Sequence, residues 1–262
     1  MTEAEWWSEQ CGVPPVLEEV GRSGLASRRK LFLLGCAYCR RLWEWLAPLP
    51  WTLLPSESRT ARLVEVAERH ADGLADADEF RQTLSGAADA VRDWEVTLDE
   101  LVEDDEQGSL RLRQAFAWHV WDLFDPFVDP DSPRLGPLWD RFADRWCGLS
   151  DEVGQAALSR GATADEVNAV LREETAAGVA LARDVFGNPF RPVAFDAAWR
   201  TSTATALATQ MYESRDFGAM PILADALQDA GCTSADILEH CREANATHVR
   251  GCWVVDLVLG KE

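Results

Sequence analysis

Lysine is nearly missing from this chain: of 25 basic residues only Lys30 and Lys261 are lysines, and the rest are arginines. High-GC coding accounts for that bias better than any need for bidentate recognition. Positive charge as a whole is scarce, and the formal net charge is −20. Such a field repels phosphate backbones and anionic lipid, which disfavours direct nucleic-acid or membrane binding. No stretch approaches the ~18 consecutive apolar residues that a membrane span requires. The opening MTEAEWWSEQ is acidic and too polar for a secretory signal, so a cytoplasmic protein is expected. P-loop, GxGxxG, HExxH and GxSxG patterns are all missing, which removes the common nucleotide, dinucleotide, zincin and hydrolase signatures. Period-two alternation, the mark of half-buried strands, is also lacking, as is a strict internal repeat.

What is present is apolar material at helical spacing. Hydrophobic residues make up 47% of the 262 positions, ample for a sizeable core. Ser27 has the look of an N-cap for a helix to about Leu46, with Leu31, Leu34, Tyr38, Leu42 and Trp45 on one stripe. A second helix runs from Ser56 or Ser58 to about Leu74, and Asp76 caps a third pattern through Trp94. Further helices are expected from Ser109, over 138–147, over 150–159, and over 163–186, the last with Thr163 and Glu166 in capping-box register. Gly187-Asn188-Pro189 stops that helix, and a proline-fixed connector follows. Three short helices come next, about 202–212, 221–230 and 234–242. The closing segment 251–259 reads as either a helix or a buried strand, with helix slightly ahead. The spacing therefore predicts an all-α array of about nine to eleven helices. Residues 1–183 form an N-terminal and middle region, and 184–262 a closing helical module packed on the N-terminal helix.

Several stretches carry a resemblance: MTEAEW, RKLFLLGCAYCRRLW, DVFGNPFRP, PILADALQDAGC, ILEHC and HVRGCWVVDLVLGKE. On these the chain resembles a family of uncharacterised helical proteins typical of planctomycete bacteria. The likeness covers roughly 1–75 and 180–262 and brings no activity with it.

The densest chemistry lies in 217–260, which holds Cys232, Cys241, Cys252, His240 and His248. Seven cysteines, an odd number, in a reducing compartment point to thiols or metal ligands rather than a disulfide framework. Cys36 and Cys39 form a CxxC one turn apart on a helix, and His248 and Cys252 are four apart. Together these four could make a Cys₃His zinc site joining the first and last helices. His240 and Cys241 are adjacent and face different sides, so at most one could join in. The alternative is that the cysteines are small core residues. A redox role for the CxxC is disfavoured by its mid-helix position. His248, Cys252 and Asp256 spell a catalytic triad only superficially, because on one helix they would lie in a row. Asp256 or Asp225 would sooner pair with Arg250 or Arg242.

Three function classes stay open. One is a non-catalytic interaction or scaffold protein. Another is a structural zinc protein, and the third an enzyme using the C-terminal His/Cys/Asp cluster. For the first, a protein partner, basic in character, would meet the acidic and aromatic middle, roughly 95–146. Trp118 and Trp121 would serve as anchors and Glu103, Asp104 and Asp105 as steering charges. Trp6, Trp7 and Trp51, in breaker-rich segments, could form a second aromatic anchor.

Overall fold

A computed structural model describes residues 1–46, 55–101, 161–243 and 246–261, with single residues and short pieces between 118 and 158. Among these residues every regular element is helical, and the chain is all-α. After the single turn α1 (Glu3–Trp6) and α2 (Val13–Ser23), the long helices are α3 (Arg28–Leu46), α4 (Pro55–Ala71), α5 (Ala77–Leu101) and α6 (Ala164–Phe186). Then come a 3₁₀ turn at Ala197–Trp199 and four shorter helices: α7 (Ser202–Ser214), α8 (Met220–Asp229), α9 (Ala235–Arg242) and α10 (Trp253–Leu259). No helix among the described residues is long and apolar enough to cross a membrane.

The local signals act where the sequence places them. Ser27 Oγ accepts the Lys30 backbone N–H at 3.2 Å and opens α3. Thr163 and Glu166 close a reciprocal capping box at the head of α6. Gly187 ends α6 with φ +70° and ψ −162°, a conformation open essentially to glycine alone. Closing segment α10 is helical rather than extended and stops at Gly260 in the left-handed region.

Two apolar cores result. The first gathers α2 to α5, the piece 120–124 and the last turns of α6. Its α3 stripe is the one expected, since Leu31, Leu34, Tyr38 and Leu42 are all buried. Each such leucine contributes about 1.5–3 kcal/mol by leaving water. The inner face of α4 buries Leu63, Val64, Val66 and Ala67. The second core is built by α7 to α10 with the connector that precedes them. The division between cores falls after Phe186, because Val185 and Phe186 belong to the first.

A polar seam joins the two. The Asp72 carboxylate, at the end of α4, has a side-chain exposure of 0%. It accepts hydrogen bonds from Tyr212 (2.7 Å), Arg250 (2.7 Å), Lys261 (3.1 Å) and Arg29 (3.1 Å). Arg29 also clasps Asp256 of α10 through two bonds, at 2.7 and 3.0 Å. Glu68 holds Arg40 at 2.8 Å and also pairs with Arg215. Buried charges persist in this way only when paired and hydrogen-bonded. Backbone packing closes the same seam: a Cβ on Gly251 would lie 3.0 Å from Leu33, and φ there is +98°.

Candidate metal centre

Four side chains from three parts of the chain converge beside this seam. Asp184 sits in the last turn of α6, His240 in the last turn of α9, His248 in the loop before α10, and Cys252 is the residue that caps α10. One potential donor atom from each lies within 4.8 Å of every other. His248 Nδ1 is 2.9 Å from Asp184 Oδ1 and His240 Nε2 is 3.3 Å from it. The Cys252 thiol is 3.2 Å from His240 Nε2 and 4.0 Å from His248 Nδ1.

Local structure sets each of these positions. Asp184 Oδ2 accepts the Val249 backbone N–H at 2.8 Å, tying the His248 loop to the end of α6. Gly251, at positive φ, turns the chain so that Cys252 doubles back toward His248. The Trp253 ring packs 5.1 Å from His240 and rests on Gly187, where an added Cβ would meet it at 3.2 Å. Thus the glycine that stops α6 also makes room for the indole that backs a ligand.

Sequence spacing names His248 and Cys252 correctly as neighbours but for a different reason. They do not share a helix face, because residues 247–251 lie outside any helix. Cys36 and Cys39 do not join them. Both are fully buried in the first core, where the Cys36 thiol points to the Val64 carbonyl at 3.6 Å. Burial pushes both thiols well above their ordinary range, as expected of core cysteines. The Cys₃His set is therefore replaced by an Asp-His-His-Cys set. Of the adjacent pair, His240 joins the site, while Cys241 is a core thiol pushed up to about 12 by burial. Asp256 is not a triad member: it pairs with Arg29, and Arg250 goes to Asp72 instead. Asp225 pairs with Arg242 at 2.8 Å.

Asp184 is the candidate donor that sequence reading misses. It occupies a stripe with Leu181, Ala182 and Val185, all buried. A carboxylate at a core position is the signal that could have found it. Of the anchor candidates, Trp118 is partly exposed, Trp121 packs against the first core, and Glu103, Asp104, Asp105 and Trp51 lie outside the described residues. Trp6 is wholly buried and cannot be an exposed anchor, whereas Trp7 is 54% exposed.

The ring nitrogens decide between relay and ligand chemistry. A Cys-His-Asp relay needs the thiol and the carboxylate on opposite nitrogens of one imidazole. Here His240 turns the same nitrogen, Nε2, to both Cys252 and Asp184, and His248 turns Nδ1 to both. Groups that converge on one point are arranged as ligands. Tetrahedral zinc with donors at about 2.0–2.3 Å has donor–donor edges of about 3.3–3.7 Å. The four edges quoted run from 2.9 to 4.0 Å and bracket that range.

Electrostatics agree. Burial raises the Cys252 thiol well above its usual range, and the nearby Asp184 raises it further. Burial also works against the Asp184 carboxylate, but hydrogen bonds and charge from His240 and His248 outweigh it and hold the group below its usual range. A dication would reverse the thiol's preference, and with one thiolate and one carboxylate the buried set would be neutral. The remaining nitrogen of His248, Nε2, is buried without a hydrogen-bond partner. The chain matches no family model, and neither a curated protein nor a solved structure matches it.

Proposed function

We propose that this protein is a zinc-organised helical scaffold, in which a metal held by Asp184, His240, His248 and Cys252 fastens the closing module to the helical body. The observation that carries the reading is the convergence of both histidines, each through one nitrogen, on a buried thiol and a buried carboxylate. Two sulfur-and-oxygen anions with two imidazoles in a tetrahedral frame suit zinc above the harder divalent cations. The ligands link α6, which belongs to the first core, with α9 and Cys252 of the second. Metal binding would then be folding energy for the module.

The fully protein-derived ligand set supports a structural role, and a net charge of −20 supports a basic protein partner over nucleic acid. The six described cysteines are free thiols, which fits a reducing compartment such as the cytoplasm. The test is metal analysis of purified protein beside the Cys252→Ser and His248→Ala variants. One zinc per chain is expected in the parent and loss of it in both variants. A parent free of any transition metal after zinc-supplemented expression refutes the reading.

A further inference from the structure

We infer that the metal centre is open on one edge and takes a small exogenous donor ligand from an adjoining cavity, so that it is a Lewis-acid site as well as a clasp. This inference rests on the zinc reading above. A cavity of about 500 Å³ lies between the N-terminal segment, α6 and α9. That volume falls in the range of ligand pockets, about 300–1,000 Å³. Two of the four ligands, Asp184 and His240, line it, whereas His248 and Cys252 do not. His240 is also the most open ligand, with 16% side-chain exposure against 7% for His248 and 2% for Asp184. The metal thus sits behind the Asp184–His240 edge, and the cavity meets that edge. Four protein donors are the usual closed arrangement of zinc, but zinc that meets a substrate sometimes expands to five-coordination, and a fifth donor entering at this edge would do so without displacing a side chain.

The lining sets the class of donor. Arg183 faces the cavity's N-terminal side, donates to the Trp6 and Ser8 backbone carbonyls, and lies 5.1 Å over the Trp7 ring. Among the described residues it has no carboxylate partner, unlike Arg29, Arg40, Arg41 and Arg191. Its own Nε is buried and unpartnered. Opposite, α9 and its end contribute Asp236, Glu239 and Glu243. Arg183 marks the one side of the lining where a negative charge is favoured, while Glu239, Glu243 and the Arg191-paired Asp236 across the cavity reject a polyanion. The indoles of Trp7 and Trp253 add apolar surface to the wall. The fitting ligand is a small monoanion, such as a carboxylate, with its donor oxygen on the metal and its charge toward Arg183.

Cobalt(II) in place of zinc makes this visible, because its d–d bands distinguish four- from five-coordination. Azide is the probe and acetate the second arm. Saturable loss and shift of the tetrahedral bands with azide, and with acetate, is expected, with cobalt retained after desalting. Arg183→Gln should raise the azide dissociation constant about tenfold, the effect of removing one charge-assisted contact. Ala180→Trp, which places an indole in the cavity one helical turn before Asp184, should weaken the azide response while keeping one cobalt per chain. Bands that stay tetrahedral at saturating azide, or azide that strips the cobalt, overturn the open edge and leave the clasp standing. A protein that retains no cobalt or zinc overturns both.

Discussion

Replacing Asp72 with Asn removes the charge at the centre of the seam while keeping its shape and one acceptor oxygen. The loss can be worked from the contacts. Arg29 keeps its two bonds to Asp256 and is not orphaned. Arg250 keeps only a 3.8 Å approach to Glu68, and Lys261 loses its one carboxylate. Two charge-assisted hydrogen bonds to a fully buried group, at about 1.5–3 kcal/mol each, give a destabilisation of about 3–6 kcal/mol. That is a large part of the roughly 5–15 kcal/mol that holds a domain folded. Urea unfolding at neutral pH measures it, and Glu79→Gln serves as the control. Glu79 pairs with Arg69 at a site where both side chains are a third or more exposed, so its loss should be under about 1 kcal/mol. Hydrogen exchange should locate the damage, with protection lost first in α7 to α10. A loss from Asp72→Asn below about 1 kcal/mol, or one spread evenly over both cores, would mean that the seam does not couple them.

Other outcomes follow from the same geometry. Cys36→Ala and Cys39→Ala should keep one zinc per chain, and Cys252→Ser should lose it; zinc content after desalting checks this. Gly187→Ala should destabilise by about 1–3 kcal/mol, since φ there is +70° and the new Cβ meets Trp253, and thermal melts of the metal-loaded protein measure it. The module should also loosen in acid. Burial opposes ionisation of Asp72, but the Tyr212 and Lys261 hydrogen bonds hold its carboxyl below the usual range, and the Arg40 and Arg215 pairs do the same for Glu68. A folded pKa below the unfolded one gives stability that is complete above about pH 4–4.5 and lost as pH falls through the folded values. Melting temperatures of the metal-free Cys252→Ser variant, in which acid release of the metal plays no part, should be flat from neutral pH down to about pH 4.5 and then drop. A midpoint that falls already between neutrality and that point would refute the assignment.

Much of the architecture was legible in the chain because helices are local objects. The α3 stripe, the Thr163–Glu166 capping box and the Gly187 stop each depend on residues within a few positions of one another. In α4, tertiary packing buries Leu63 and leaves Ala61 half-buried, a choice that local spacing does not make. The metal centre was only half legible. His248 and Cys252 are close in sequence, but helical spacing supplied the wrong partners, since Cys36 and Cys39 share one face of α3 whether or not a metal is near.

By itself, then, the sequence determined an all-α chain, its helix ends, and the presence of His248 and Cys252 in one local unit, because propensity, capping and periodicity act over one or two turns. Tertiary structure alone decided that Asp184, 64 residues from His248, and His240, 12 residues from Cys252, complete the set. It alone chose Arg29 over Arg250 for Asp256, a pairing across 227 residues. No spacing rule reaches that far: which buried carboxylate meets which cation is settled when two helical cores dock and each buried charge must find a partner in the space left between them.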